Sequence, residues 1–380
     1  MPPWGVPTRV STVPPSVSDD APAGLGRAVL AIGADAGLAA VGIAGAEPFT
    51  DTRTVLESRR RDGLHGGMQF TYRNPARATE PDRILAGARS LVVGALGYLR
   101  TETGDEPSSP EAPRGVVARY ARHDHYADLR DALARIADHL VAEGWRARVV
   151  VDDNALVDRA AAERAGLGWI GRNSLFLLPG IGSWCVLGSV VTDAPLDPTP
   201  PVGPSAPAEG CGSCRRCVAA CPTGALVADG VLDARRCLAW LVQAPGTFPV
   251  AFRTALGDRI YGCDDCQQAC PVNRVGERRH PPPPPEPDSR PDVDLLTLLG
   301  ASDDELLAAH GRWYIAARDP RYLRRNALVA LGNVGDAGDP STVATLARYA
   351  AGADELLAEH ARWAAGCLGL GAAAGGSGPA

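Results

Sequence analysis

Eight of the ten cysteines lie between residues 211 and 270, and this block limits the possible folds more than any other feature of the chain. Its first run, CGSCRRCVAACP at 211–222, has the complete C-x2-C-x2-C-x3-C-P spacing of iron–sulfur ligands. Its second run, CDDCQQACP at 263–271, has three cysteines where four are expected. Clustered cysteines in a chain without a secretion signal indicate metal ligands rather than disulfides. The block therefore predicts a cofactor domain.

The position of the missing ligand follows from a rule of two-cluster ferredoxins. In these domains the cysteine before proline ligates the other cluster, so each run completes its partner's set. Cys237, which lies between the two runs, is the one cysteine of the block that this rule leaves unassigned. We therefore predict two [4Fe–4S] clusters. The first set is Cys211, Cys214, Cys217 and Cys270, and the second set is Cys221, Cys237, Cys263 and Cys266.

Zinc is the alternative metal, because it also binds four thiolates with C-x2-C spacing. A zinc ribbon, however, requires neither a C-x2-C-x2-C triple nor two C-x3-C-P endings, and the pattern favours iron–sulfur. Cys185 and Cys367 lie outside the block, in an apolar strand and a C-terminal helix. Both are predicted to be buried small hydrophobic residues rather than ligands.

Composition places the chain among globular proteins and excludes a membrane span. No run approaches the roughly 18 consecutive apolar residues of a membrane helix. Residues 1–23 are rich in proline and acids where a signal peptide would have an apolar segment, so we expect a disordered leader and a cytoplasmic protein. The formal net charge is −6, which does not indicate nucleic-acid binding by the chain as a whole. The chain contains no lysine, so any phosphate contact would come from arginine.

Alternating apolar runs and amphipathic segments predict the remaining organisation. Strands are expected at 90–99 and after 145, and helices at 52–64, 127–145 and 155–166. Two proline-rich stretches flank the cysteine block, and amphipathic helices beginning with RNALVALGNVGD resemble a HEAT-type repeat. The predicted parts are a leader at 1–23, an α/β domain at 24–200, a ferredoxin-like two-cluster domain at 201–277, a proline-rich linker at 278–291, a helical HEAT-like region at 292–370 and a flexible tail at 371–380.

The densest chemistry of the front domain is VVDDNALVDRAAAERAGLGWIGRNS at 150–174. A strand ends in two acids, a helix follows with two arginines, and three glycines come after it. Glycines at a helix end allow a backbone to approach a large ligand closely. Taken alone, the segment is better explained as a capped helix followed by a tight turn. The residues by themselves leave this choice open.

Six segments of the chain occur in an order shared with one family. They are VDDNALVDRAAAERAGLGWIGRNSLFL, GSWCVLGSVVTDAPL, CGSCRRCVAACPTGAL, DARRCLAWL, RIYGCDDCQQACPVNR and RNALVALGN. In this order the chain resembles the epoxyqueuosine reductases, which complete queuosine synthesis in transfer RNA. The resemblance covers about residues 25–335. Its most specific parts are the relocated cysteine, RIYGCDDCQ and AGLGWIG.

The resemblance implies that the α/β domain binds cobalamin. It also implies that Asp152, the acid directly after the strand, is the catalytic proton donor, with the adjacent Asp153 as the other candidate. For that role the pKa of Asp152 would have to be raised by burial. The opposing interpretation is a purely structural Asp152 that is ionised and paired with Arg159 or Arg172.

Other contacts implied by the resemblance concern cobalamin and RNA. The segment GWIGRNS is expected near the corrin or its nucleotide tail, which makes Gly171, Arg172 and Ser174 candidate cobalamin contacts. The stretch HDHY at 123–126 departs from the family's DYH order and is expected near the same pocket. Arginines could bind the tRNA anticodon stem-loop, and an ordinary solvated helix face is the alternative. The candidates are Arg235, Arg236, Arg318, Arg321, Arg324 and Arg325.

Three functions are compatible with these features. The first is reduction of epoxyqueuosine at the wobble position of tRNA, with electrons passing from the two clusters to cobalamin. The second is a related cobalamin and iron–sulfur reductase of a small epoxide or halogenated molecule. The third is an electron-transfer module without cobalamin. For the first we expect a monomer that receives electrons from an external donor such as a flavodoxin or ferredoxin.

Overall fold

A computed structural model describes residues 24–102, 112–202 and 210–370. The predicted leader at 1–23 and tail at 371–380 lie outside the described residues, as do parts of the proline-rich segments after 102 and after 202. The chain divides into two compact units that are discontinuous in sequence, unlike the consecutive domains predicted above. The first unit comprises the residues up to 101, 124–234 and 265–283, and the second comprises 102–123, 235–264 and 284 onward.

The bounds of the regular elements are as follows. The strands are β1 (Ala40–Gly45), β2 (Ser90–Gly97), β3 (Arg114–Val117), β4 (Ala147–Val151), β5 (Trp169–Ile170), β6 (Phe176–Leu177), β7 (Cys185–Thr192), β8 (Leu226–Ala228), β9 (Val231–Leu232), β10 (Arg259–Tyr261) and β11 (Asp292–Asp294). The helices are α1 (Leu25–Asp35), α2 (Thr50–Arg61), α3 (Pro75–Ala78), α4 (His125–Ala142), α5 (Asp158–Arg164), α6 (Arg216–Ala220), α7 (Leu238–Leu241), α8 (Val250–Leu256), α9 (Asp265–Gln268), α10 (Pro271–Arg279), α11 (Leu295–Gly300), α12 (Asp303–His310), α13 (Arg321–Val334), α14 (Pro340–Ala350) and α15 (Glu355–Cys367).

A four-stranded sheet organises the first unit, in the order β1–β2–β7–β4. Every neighbouring pair runs antiparallel, with Ser189 of β7 opposite both Val93 of β2 and Val150 of β4. Alternating strands and helices more often produce a parallel sheet, so the alternation in sequence does not reveal this pairing. The continuous apolar run of β2 is buried along most of its length, as expected of a strand covered on both faces.

Helices cover both faces of this sheet. On one face α4 packs against β4 and β7 with α1 beside it, and on the other face lies α5. The buried side chains Leu129, Leu133, Ile136 and Leu140 recur at helical spacing along α4, and they are fully inaccessible to solvent. The sheet meets α4 closely at Gly94, where an added Cβ would lie 3.0 Å from the side chain of Leu133. This packing fixes the end of β4, from which the candidate site extends.

The second unit contains the C-terminal helices. A three-stranded sheet in the order β10–β3–β11 packs against helices α11–α15, and both α13 and α14 pack on α15. The helix expected from RNALVALGNVGD is confirmed as α13. The assignment of these helices to a HEAT-type repeat stays a prediction.

The prediction that Arg325 contacts RNA is wrong, because its side chain belongs to the interior of the second unit. Arg325 is 1% exposed, and its guanidinium donates hydrogen bonds to the carbonyls of Leu241, Ala244 and Gly246. Burial also lowers the pKa of Arg325 to about 10. The side chain therefore holds the segment after α7 against α13.

The other arginines of the same run have partners within the second unit. Arg321 pairs with Asp319 and Asp354, and Arg324 pairs with Asp303. Arg318 donates a hydrogen bond to the carbonyl of Gly311. These contacts match the alternative interpretation, in which the run is an ordinary helix face.

A buried ion pair in the second unit leads to a stability prediction. The Arg253 side chain has no exposed surface and donates to both carboxylate oxygens of Glu359, at 2.8 and 2.7 Å. Replacing Glu359, whose side chain is 40% exposed, by alanine leaves the buried guanidinium of Arg253 without its counter-ion, which is expected to cost about 2 kcal/mol of unfolding free energy. Urea unfolding followed by tryptophan fluorescence measures this cost, since Trp363 lies beside Arg253.

The same helix provides a matched control for this prediction. Glu355, which is 82% exposed, pairs with the exposed Arg362 at the surface of α15. Glu355→Ala should change the unfolding free energy by less than about 0.5 kcal/mol, because exposed pairs contribute little. Equal losses in the two variants would contradict the assignment of Arg253 and Glu359 as a buried structural pair.

Within the described residues, none of the helices combines the length and apolar character that a membrane span requires.

Candidate functional site

The first predicted ligand set comes together within the first unit. Cys211 and Cys214 precede α6, Cys217 lies in the first turn of α6, and Cys270 directly precedes α10. Burial raises the pKa of Cys217, and the neighbouring thiol of Cys270 raises it further; burial and the thiols of Cys211 and Cys214 act on Cys270 in the same way. A cluster site suits thiols such as Cys217 and Cys270, whose ionisation is disfavoured, because the iron compensates the charge of the thiolates.

The second predicted set is divided between the two units. Cys221 and Cys266 lie in the first unit, and Cys237 and Cys263 lie in the second. Burial opposes ionisation of Cys221, but hydrogen bonds from nearby backbone N–H groups outweigh it and lower the pKa of this thiol. One of these donors is the backbone N–H of Ala225, 3.2 Å from Sγ. Cys221 is thus suited to ligate as a thiolate, and the full assignment of this set stays a prediction.

The two cysteines outside the block differ from each other. Cys185 packs against the core of the first unit, and burial raises its pKa to about 12, as expected of an inert thiol. Cys367 is exposed, so its predicted burial is wrong. Cys367 lies in the last turn of α15 and points away from the core that Ala364 and Leu368 contact.

A short hairpin connects the region of α5 with the first ligand set. Strands β5 and β6 pair with each other, and Trp169 and Leu177 pack against Cys270 in a small apolar cluster. A Cβ added to Gly210, next to Cys211, would lie 2.3 Å from the Trp169 ring. The hairpin, which contains the predicted cobalamin contacts, therefore lies directly against the cluster loop.

Asp152 lies directly after β4, in a conformation that residues other than glycine rarely adopt. Its φ is 52°, in the left-handed region. Within the described part of the chain, its carboxylate forms neither a hydrogen bond nor an ion pair. Restricted solvation raises the pKa of Asp152, the nearby Asp124 and Asp153 add to this effect, and Arg130 opposes it. Asp152 is exposed, but the groups around it restrict its solvation, and we call this position the recess.

The adjacent acid has a structural role. The Asp153 carboxylate accepts a hydrogen bond from the backbone N–H of Ala155 at 2.9 Å, which closes the turn after β4. The next side chain, Asn154, accepts one from the backbone N–H of Thr71 at 3.2 Å. Asp153 and Asn154 thus fix the loop, and the carboxylate of Asp152 is left available.

The structural interpretation of Asp152 is not supported, because both proposed arginine partners bind elsewhere. Arg159 donates a hydrogen bond to the carbonyl of Ser174. Arg172 donates to the carbonyl of Gly212 at 2.6 Å and pairs with Asp229 at 3.4 Å. Both arginines instead stabilise the hairpin and the cluster loop.

Asp158 is a residue of this recess that sequence analysis missed. It begins α5, and its Oδ1 is buried without a hydrogen-bond partner. Burial raises the pKa of Asp158 well above the ordinary aspartate value, and the charges of Asp152 and Asp153 raise it further, while Arg159 opposes them. Burial therefore favours the protonated form of the Asp158 carboxyl beside Asp152. The sequence feature that could have identified Asp158 is its position as an acid within the mainly apolar segment ALVDRAAA.

The raised pKa of Asp158 predicts how stability depends on pH. The unfolded chain releases this proton near the ordinary pKa of 3.8, whereas the folded chain retains it to higher pH. Stability from this group is therefore fully present below 3.8 and is lost as pH rises toward the folded pKa. Asp158→Asn removes the loss, so its melting temperature should rise relative to that of the wild type as the pH increases above 3.8. A difference that stays constant over this range would exclude a retained proton.

Asp51→Asn is the matched control for this measurement, since Asp51 is an exposed acid in the first turn of α2. Its effect on the melting temperature should be small at every pH.

The three predicted cobalamin contacts all make contacts within the first unit. The N–H of Gly171 donates to the carbonyl of Leu175, and Ser174, with φ of 59°, donates from Oγ to the carbonyl of Asn173. Two buried donors of this turn have no partner, the side-chain amide of Asn173 and Nε of Arg172. Unpaired donors of this kind are suited to the acceptor groups of a bound ligand.

The HDHY stretch also borders the recess. Asp124 begins α4 by accepting a hydrogen bond from the N–H of Ala127 at 3.0 Å, and its charge raises the pKa of Asp152. Tyr126 acts electrostatically on Arg159. The prediction that this stretch lies near the catalytic pocket is consistent with both interactions.

Comparison with known proteins agrees with this arrangement. Residues 210–273 match a family model described as a 4Fe-4S double cluster binding domain, and residues 78–153 match "Epoxyqueuosine reductase QueG, DUF1730". An epoxyqueuosine reductase of Bacillus anthracis is 34% identical over 313 residues, covering 81% of this chain and 80% of the relative. That of Xanthomonas campestris pv. campestris is 35% identical over 349 residues, covering 88% and 94%.

Two solved structures are similar over nearly the whole chain. A crystal structure of epoxyqueuosine reductase with an epoxyqueuosine-modified tRNA-Tyr stem loop has a TM-score of 0.81 at 30% identity, covering 91% of this chain and 90% of that one. The Bacillus subtilis enzyme, with its catalytic aspartate loop swung out of the active site, has a TM-score of 0.79 at 30% identity, covering 90% of each chain.

The double-cluster domain and the acidic recess define an iron–sulfur oxidoreductase. Relatives above 30% identity that align over most of both chains make the assignment more specific. The chain belongs to the epoxyqueuosine reductase family.

Proposed function

We propose that this protein reduces epoxyqueuosine to queuosine at the wobble position of tRNA. Two [4Fe–4S] clusters and cobalamin would supply the electrons, and Asp152 would donate a proton. The observation that carries the proposal is the unpaired carboxyl of Asp152, which lies beside Asp153 at the end of β4 in the same unit as the first cluster-ligand set and has a raised pKa. The relatives named above are epoxyqueuosine reductases, and one of them is solved with the modified stem loop.

The net reaction defines what the side chains must supply. Converting an epoxide to an alkene breaks both carbon–oxygen bonds, consumes two electrons and two protons, and releases water. A carboxylic acid with a raised pKa keeps its proton to higher pH than an ordinary aspartate and can protonate the departing oxygen, and the direction of the pKa shift at Asp152 agrees with this general-acid role. Asp153 is excluded from this role in our proposal, because its carboxylate closes the turn.

Asp158 is proposed as the source of the second proton. Its retained proton lies in the same recess, and it interacts electrostatically with Asp152. After Asp152 has given up its first proton, Asp158 can pass its own proton to Asp152 and is then reprotonated from solvent, so the two carboxyls carry at most one negative charge between the two transfers. Arg159 fixes the hairpin on the opposite side through Ser174.

Cobalamin would bind beside the hairpin turn, held by Gly171, Arg172 and Ser174. The unpaired amide of Asn173 and Nε of Arg172 are suited to its acceptor groups, which supports this placement. When bound, cobalamin supplies a cobalt centre that transfers electrons to the epoxide-bearing ring. The part of Arg172 in this site is limited to Nε, because its terminal nitrogens already bind Gly212 and Asp229.

Recognition of the tRNA anticodon stem-loop is proposed by analogy with the relative solved with such a stem loop. Arg235 and Arg236 remain candidate contacts. Arg325 does not, because it is buried.

Anaerobic purification with cobalamin supplied, followed by metal analysis and an assay on epoxyqueuosine-containing tRNA, tests the proposal. We expect about eight irons and one cobalt per chain, together with cobalamin-dependent formation of queuosine. Full cofactor loading without conversion of the tRNA would favour a different small substrate. Eight irons without cobalt would favour a simple electron-transfer module.

A further inference from the structure

A shallow apolar hollow of about 280 Å³ opens beside the first ligand set. Its walls include Trp169 and Pro179 on one side and Val272, Val275 and Arg279 of α10 on the other. Helix α10 starts at the residue after Cys270, so the hollow is separated from a cluster ligand by about one layer of side chains. The hollow has an almost entirely apolar lining, which suits the centre of a protein interface.

The rim of the hollow is positively charged. Arg274, Arg278 and Arg279 are all exposed on α10. The one acid of this helix, Glu277, accepts a hydrogen bond from the indole N–H of Trp184 at 2.9 Å and is turned toward the core. The chain as a whole has a formal net charge of −6, so the positive charge on α10 is a local feature. The fold of α10 does not require it.

We propose that this α10 surface docks an acidic one-electron carrier, which delivers electrons to the first cluster through the Cys270 end of the helix. The inference rests on the proposed function, because a carrier is needed only if the clusters relay electrons. An apolar centre with a charged rim is the usual composition of a protein interface. Arginines around it attract an acidic partner and accelerate the encounter.

The same surface is poorly suited to single-stranded RNA. Binding of unpaired bases requires aromatic rings on which the bases stack. The aromatic residue of the hollow, Trp169, is only 5% exposed and packs against Cys270, so its ring is not available for stacking. The observations therefore favour a protein partner over the stem loop.

Reversing the charge of the rim tests the docking site in the cluster-loaded enzyme. In Arg278→Glu/Arg279→Glu, the rate of cluster reduction by reduced flavodoxin, an acidic carrier, is measured by stopped flow. We expect the rate at low salt to fall about tenfold or more, and the difference from the wild type to shrink at high ionic strength. Arg60→Glu/Arg61→Glu on α2 is the matched control, because it changes two exposed arginines elsewhere on the same unit.

Two further measurements separate the possible outcomes. Reduction by dithionite, which needs no docked protein, should be unchanged in the variant. If dithionite fails to reduce clusters even in the wild type, the proposed function is at fault rather than the docking site. An unchanged flavodoxin rate in the variant would overturn the docking proposal, and weakened stem-loop binding with that unchanged rate would reassign the surface to RNA.

Discussion

Asp152→Asn should lower the rate of epoxyqueuosine reduction by about 100- to 10,000-fold, the usual contribution of a positioned general acid. Asparagine keeps the size of the side chain and tolerates the left-handed backbone conformation found at this position. It cannot donate a proton to the departing oxygen. Single-turnover assays with the clusters reduced beforehand measure this step directly, because electron delivery then does not limit the rate.

The neighbouring acid supplies the control for this prediction. Asp153→Asn retains a side-chain oxygen that can accept the hydrogen bond from Ala155, so the turn should form and activity should change less than about fivefold. Iron and cobalt contents should match the wild type in both variants. If Asp153→Asn were the inactive variant and Asp152→Asn the active one, the two roles would have to be exchanged.

The local elements of the fold were predictable, whereas their pairing was not. The strand expected at 90–99 is β2, and the helix expected at 127–145 is α4, which starts two residues earlier because Asp124 caps it. Periodicity and capping are local properties, and they are readable from the chain. The antiparallel order β1–β2–β7–β4 depends on contacts between distant segments, and nothing in a single strand specifies its neighbours.

The candidate site was likewise only partly predictable from the sequence. Asp152 could be selected only through the family resemblance, since the two acids after β4 are chemically equivalent in sequence. Their difference arises from geometry, because Asp153 reaches the N–H of Ala155 and Asp152 does not. For Arg325 the wrong prediction was avoidable, because the sequence around it already indicated burial. It lies three and four residues before Leu328 and Val329, on the apolar face of α13, and this position indicates a buried arginine.

Cys237→Ala should reduce the iron content from about eight to about four per chain, because it removes one thiolate of the second set and leaves the first set complete. Cys237 lies outside both motif runs, so no other variant tests the relocated ligand as directly.

The variants Cys185→Ala and Cys367→Ala are the matched controls, because neither thiol is assigned to a cluster. Both variants should keep about eight irons. Circular dichroism checks that the variant is folded, which matters because Cys237 directly precedes the buried helix α7. A folded Cys237→Ala protein with about eight irons would show that another group completes the second cluster, whereas a decrease to about four would establish Cys237 as its fourth ligand.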